Sequence, residues 1–115
     1  MALDEDLLLI LKSSGLGDGE PDLGSKLLSA FLKTLLEAKA VPARIICMNS
    51  GVFLTTEGSP LIETLREFEA QGTAILSCGT CLDYYNRRER LRIGEPTNMK
   101  STVEAMLSFP RILSP

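Results

Sequence analysis

The sequence contains no histidine. That absence excludes a Ser-His-Asp or Cys-His mechanism within one chain. It also removes the commonest imidazole ligand from any metal site. Positive charge is scarce as well: 12 Lys and Arg against 15 Asp and Glu leave a net charge of −3, with the two signs interspersed. General nucleic-acid binding needs a clustered basic face to neutralise phosphates, so no nucleic acid is expected as a partner. No apolar run approaches the roughly 20 residues needed to cross a bilayer, so no membrane is expected either. The start, Met1-Ala2-Leu3-Asp4-Glu5-Asp6, is acidic where a secretory leader would be basic and then apolar. The three cysteines are too few for a secreted disulfide scaffold, and odd in number. The expected location is cytoplasmic.

The length of 115 residues and the hydrophobic fraction of 44% suit a single domain over 1–115, with a core that needs no disulfide staple. Apolar bursts alternate with helical spacing. Leu7 to Leu11 is a continuous apolar run, as in a strand buried on both faces. Leu23, Leu27, Leu28, Phe31, Leu32, Leu35 and Leu36 recur at intervals of three and four, which predicts a long helix ending near Lys39. That face is wide enough for part of it to meet another subunit. Arg44–Met48 reads as a second strand, followed by a turn at Asn49-Ser50-Gly51. Ser59-Pro60 reads as a helix start, with Leu61, Ile62, Leu65 and Phe68 as its stripe and Gly72 as its stop. Thr73–Ser77 is a third strand with Cys78 at its end, and a short helical turn is expected over Leu82–Arg87. Leu91–Ile93 is expected as a fourth strand, Gly94-Glu95-Pro96 as a turn, and Arg111–Leu113 as a fifth, edge strand. Between them Asn98 caps a helix with Met99, Val103, Met106 and Leu107 on one face. This alternation implies a parallel sheet with helices on both faces, whose ligand site lies beyond the carboxyl ends of the strands.

Three features fall on that rim. The loop Gly15-x-Gly17-x-Gly19 fails the dinucleotide fingerprint, because Glu20 stands where the third glycine belongs. It also fails the phosphate-loop pattern, having no lysine, and Asp18, Glu20 and Asp22 would repel a phosphate. It reads as a connection that shapes the rim. Asn49-Ser50-Gly51 is the second feature. The third is Cys78-Gly79-Thr80-Cys81.

A cysteine between a strand end and a helix N-terminus faces unpaired N–H groups that favour the thiolate, which is the reactive form. Gly79 allows a sharp turn, and Cys81 lies near enough to attack a mixed disulfide or persulfide on Cys78. Arg87, Arg88, Arg90 and Arg92 would add positive potential there, with Asp83 opposing it. Buried apolar filler is the plain reading for any free cysteine; it suits Cys47 in mid-strand better than a pair flanking Gly-Thr. Tetrahedral zinc wants four ligands and one pair supplies two, so no metal site is assigned; zinc would require two chains sharing a site. A thioredoxin-type arrangement would place the pair after an early strand and before a long helix, which this order does not match. The arginines with Tyr84 and Tyr85 read as a solvated helix face in preference to an RNA patch.

Asn49-Ser50-Gly51-Val52, Cys78-Gly79-Thr80-Cys81-Leu82-Asp83-Tyr84-Tyr85 and Gly94-Glu95-Pro96-Thr97-Asn98-Met99 together resemble the DsrE/DsrF-like family. The likeness spans nearly the whole chain and is strongest to the C-terminal domain of YedF-type proteins, described as sulfurtransferase-like and linked to selenium metabolism. It implies a three-layer α/β/α domain with a mostly parallel five-stranded sheet, and assembly into a homo-oligomer. It also implies a cysteine persulfide relay, with Cys78 at the relay position and Cys81 as an auxiliary or resolving thiol. Asn49, Ser50, Gly51, Gly79 and Thr80 are the expected substrate-binding positions. The expected function is a sulfur or selenium carrier or transferase working between donor and acceptor proteins, a TusA-like protein among the candidates. No cofactor is expected, since sulfur carries the reactivity. The alternative is a non-catalytic or redox-sensing module that assembles a sulfur-handling complex. A metal-linked oligomer is a third reading.

Overall fold

A computed structural model describes residues 3–115. Five strands form one all-parallel sheet in the order β4-β3-β2-β1-β5. They are β1 (Leu3–Leu11), β2 (Val41–Cys47), β3 (Ala74–Cys78), β4 (Glu95–Thr97) and β5 (Arg111–Leu113). Four helices connect them: α1 (Pro21–Glu37), α2 (Ile62–Ala70), α3 (Gly79–Tyr84) and α4 (Met99–Ser108). The architecture is a three-layer α/β/α sandwich, as the alternating pattern requires.

Side chains on one strand alternate between faces. Leu9, Leu11, Ile45, Cys47 and Ile75 point to one face and pack with Leu28 and Leu32 of α1 and Leu65 and Phe68 of α2. Leu8, Ile10 and Ile46 point to the other and pack with Ala105 of α4. The continuous apolar run Leu7–Leu11 is buried throughout because β1 is central, with β2 on one side and β5 on the other. Chain order moves outward from β1 to β4 and then returns across β1 to β5, so a later helix lies on the opposite face from α1 and α2.

Several boundaries differ from the sequence-based expectation, each for a tertiary reason. β1 begins at Leu3 and takes in Asp4, Glu5 and Asp6, because Leu3 and Asp4 pair with Val41 and Pro42 of β2 before a register irregularity. β2 accordingly begins at Val41. Pro42 sits at the strand's second position, and its carbonyl accepts from the Thr73 hydroxyl at 2.7 Å. The fourth strand is Glu95–Thr97 and not Leu91–Ile93. Gly94, at φ +75°, packs so tightly on the Ile75 carbonyl that a Cβ would collide with it, and this starts β4 one residue later. Leu91 instead bridges Thr56. Asn49-Ser50-Gly51 opens a 3-10 helix, Asn49–Leu54, and is more than a turn. Ser59 is not the N-cap of α2: its hydroxyl accepts the Leu61 N–H at 3.1 Å, and Leu61 precedes the first helical residue. Gly72, at φ +106°, follows the end of α2 as expected. α3 begins at Gly79, three residues before the anticipated turn.

α4 is capped as expected, with the Asn98 side chain accepting the Ser101 N–H at 2.8 Å. Its apolar stripe, however, does not face the core. Thr102 and Ala105 are the buried positions. Met99, Val103, Met106 and Leu107 are exposed, Leu107 at 82%. On α1, Leu23 and Leu27 are likewise exposed. Among the described residues no helix is long and apolar enough to cross a membrane.

Candidate functional site

Parallel strands present their carboxyl ends on one rim, and the loops after β1, β2 and β3 meet there. The 3-10 segment Asn49–Leu54 is held against that rim by two contacts. Gly51 is buried where any Cβ would collide with the Leu11 carbonyl, so only glycine allows the approach. The buried hydroxyls of Thr55, which follows the segment, and Ser77, on β3, lie 2.7 Å apart. Ser77 immediately precedes Cys78, so this pair also registers the segment against the cysteine. Ser50 adds a third tie, its hydroxyl accepting the Ser14 N–H at 3.2 Å.

Cys78 is the last residue of β3 and stands directly ahead of α3, with Cys81 in the helix's first turn. The two thiols lie near enough for Cys78 to act on the ionisation of Cys81. The backbone N–H of Asn49 donates to Cys81 Sγ at 3.1 Å. Asn49 adopts φ +52°, in the left-handed region that asparagine tolerates better than most residues. Its side-chain oxygen accepts from the Ser50 N–H at 2.9 Å and from the Tyr85 hydroxyl at 3.4 Å. Tyr85 packs against Phe53, ring centroids 4.6 Å apart. The sulfur pair is thus backed by a small polar and aromatic frame drawn from two segments.

Burial, first, pushes the Cys81 thiol above the ordinary cysteine range. The neighbouring Cys78 thiol acts in the same direction, while the Asn49 N–H pulls the other way. Cys47 has no such donor. It is wholly buried in the core, and desolvation alone raises it to about 12. The apolar-filler reading of Cys47 agrees with that environment.

Exposure separates the expected site residues. Cys78 is 8% exposed, and Cys81 is half-buried and the more accessible. Asn49 and Thr80 are exposed or partly so, whereas Gly51 and Gly79 are buried. Cys78, Cys81 and Asn49 come together; Ser50 turns towards Ser14; Gly51 and Gly79 act through close packing. A Cβ on Gly79 would stand 2.8 Å from Arg88 Nη2 and 3.2 Å from the Thr97 carbonyl.

Three of the four arginines are committed elsewhere. Arg88 donates Nε to Asp83 Oδ1 at 2.6 Å and Nη2 to Asp83 Oδ2 at 3.0 Å, and Nη2 also reaches the Gly79 carbonyl at 3.1 Å. Arg92 pairs with Glu57 at 2.5 Å, and Arg87 donates to the Glu57 carbonyl and lies over the Phe53 ring. They brace the loops around the cysteines; two of the four have their charge matched by a carboxylate. A helix of six residues also has little macrodipole to offer Cys78. The Asn49 N–H is the anion-stabilising group, at a position where a backbone N–H or side-chain contact was expected; Tyr85 was expected on a solvated face, and Phe53 was missed altogether. Nothing local joins position 49 to 81 or 53 to 85; the fold does. Next to this frame, Phe53, Ser14, Lys26 and Arg87 help to line a cleft of about 470 Å³ that does not include either sulfur. Among the described residues no three His, Cys, Asp or Glu side chains cluster as metal ligands.

No protein-family model matches the sequence, and no curated protein matches it. Solved structures do share its fold. The ychN protein from E. coli superposes with a TM-score of 0.69 at 18% identity, covering 97% of this chain and 100% of that one. MTH1491, a protein of unknown function from Methanobacterium thermoautotrophicum, superposes at 0.73 and 13% identity, covering 97% of this chain and 100% of its own. BT1422, a conserved protein of unknown function from Bacteroides thetaiotaomicron, superposes at 0.65 and 18% identity, covering 96% and 95%. The chain therefore has the fold of a set of small α/β proteins of similar length. At these identities the likeness concerns the fold alone.

Proposed function

We propose that the protein is a sulfur or selenium carrier of the DsrE/DsrF-like kind, with Cys78 as the relay residue. The observation that carries the reading is the placement of two cysteines at the carboxyl end of β3 and the start of α3, with a backbone N–H aimed at the second. In loading, the Cys78 thiolate attacks the outer sulfur of a donor persulfide, R–S–SH. The products are Cys78–S–SH and the thiolate R–S⁻, so no oxidant or cofactor is required. An acceptor cysteine then takes the outer sulfur by the same exchange, at a rate set by thiolate fraction and access. The donor and acceptor are proteins in this reading, a TusA-like protein among them. Asn49 and Thr80 are the accessible positions beside the sulfurs where such a partner would touch. A homo-oligomer is part of the proposal; light scattering at the monomer mass of 12.5 kDa would remove it.

The test is mass spectrometry after exposure to glutathione persulfide. Cys81→Ala is expected to gain one sulfur on Cys78, and the Cys78→Ala, Cys81→Ala double variant none at either position. A second reading, an assembly or redox-sensing module without transfer activity, draws on the 8% exposure of Cys78. Absence of any adduct on folded Cys81→Ala would favour it.

A further inference from the structure

We propose that Cys81 discharges the persulfide on Cys78, forming a Cys78–Cys81 disulfide and releasing the terminal sulfur as hydrosulfide. The inference rests on the carrier reading and adds its product. The step is Cys78–S–S⁻ + Cys81–SH → Cys78–S–S–Cys81 + HS⁻. The S–S bond of the persulfide breaks as the new one forms. The terminal sulfur gains two electrons, the two cysteine sulfurs lose them, and the Cys81 proton leaves with hydrosulfide.

Three observations carry this. Cys78 stands at the N-cap of α3 and Cys81 three residues on, in its first turn, so both sulfurs belong to the same end of one short helix, near enough for Cys78 to act on the ionisation of Cys81. Cys81 Sγ is held in place from another segment by the Asn49 N–H at 3.1 Å, a donor that partly offsets the rise burial gives its thiol. Cys78 is only 8% exposed, so little of it is open to an external thiol, whereas Cys81 attacks intramolecularly with a large effective concentration. The direction of attack follows from leaving groups. Attack on the inner sulfur expels hydrosulfide, a weaker base than a cysteine thiolate, and the weaker base leaves faster. An acceptor protein therefore competes with Cys81 for the loaded site, and hydrosulfide is the product where no acceptor is docked.

Wild-type protein is treated with stoichiometric glutathione persulfide, released sulfide is trapped with monobromobimane, and non-reduced peptides are mapped. Wild type is expected to release sulfide and yield the 78–81 peptide two hydrogens lighter. Cys81→Ser is expected to retain the extra sulfur on Cys78 and release none. Wild type that keeps the sulfur without releasing sulfide, sulfur found on Cys81, or equal sulfide release from Cys81→Ser each overturns the inference while leaving the carrier reading intact. Protein that takes up no sulfur and releases no sulfide in either form overturns the carrier reading itself. The wild-type measurement decides even if the variant does not fold.

Discussion

Cys47 and Cys78 end neighbouring strands, and their environments make them different chemical groups. Cys47 lies opposite Ser77 in the sheet and is enclosed by the core, which raises its thiol to about 12 from an ordinary 9.0. An unfolded chain ionises it near 9 and the folded chain only near 12. Between those values the unfolded state binds fewer protons, so stability falls with rising pH by up to about 1.4 kcal/mol per pH unit. Below pH 9 the contribution is fully present. Urea midpoints should therefore drop further between about pH 8 and about pH 10.5 for wild type than for Cys47→Val; parallel drops would contradict the assigned burial effect. In folded protein, iodoacetamide at about pH 8 is expected to label Cys81 and to spare Cys47 completely, as read by peptide mass.

The same scale explains what was legible at the site. Cys78 and Cys81 could be singled out because spacing and residue type survive in one dimension. Asn49 could be placed on the rim, with a backbone N–H or side-chain contact to the pocket, but the sulfur it meets could not be anticipated. The donor is its backbone N–H, which every non-proline residue carries, and only φ +52° and the packing of Gly51 on Leu11 aim it at Cys81.

α3 shows how an element can depend on its surroundings. Six residues are too few for a stable helix by themselves, since nucleation costs more than one turn returns. Arg88 compensates by gripping both oxygens of Asp83 and the carbonyl of Gly79, which ties the helix start to the segment that follows it. Those hydrogen bonds hold the Asp83 carboxyl below the usual carboxylate range, so the grip is complete above that range and is lost as pH falls through the lowered value. Arg88→Ala should accelerate amide exchange over Gly79–Tyr84 and leave α2 unchanged. Equal protection of α3 in both proteins would show the clamp to be idle.

α4 marks the limit of periodicity as a guide. Its apolar spacing is helical and the helix forms, with Asn98 as cap. Yet the buried line runs through Thr102 and Ala105, small residues that let the helix sit close to the sheet, and Met99 and Leu107 face outward. Apolar spacing marks one side of a helix; which side meets the sheet is set by the connections at both ends.

For the whole molecule, the two faces of the sheet are unequally covered. The face under α1 and α2 holds the larger cluster, with Phe68 fully buried at its centre, while the other holds few fully buried residues. Phe68→Ala should cost about 3–5 kcal/mol in urea unfolding. Leu107→Ala, also a large-to-small deletion but at 82% exposure, should fall within about 0.5 kcal/mol. Similar losses for the two would mean that α4's outer flank is covered in solution.

The sequence alone determined the layers. Runs of buried apolar residues alternating with amphipathic stretches leave a parallel sheet between helices as the solution that buries both kinds of surface. It also singled out the cysteine pair as the candidate site, because sulfur at a strand end is a local property. Tertiary structure decided the rest: β4 starts after Gly94 because its backbone meets Ile75, β1 extends through three acids because β2 offers partners, and α4 turns its larger residues outward. Above all it decided the inequality of the cysteines. Burial, a neighbouring thiol and a single N–H from a distant segment set which sulfur is sheltered and which is reachable, and that N–H comes from a residue 32 positions away in the chain.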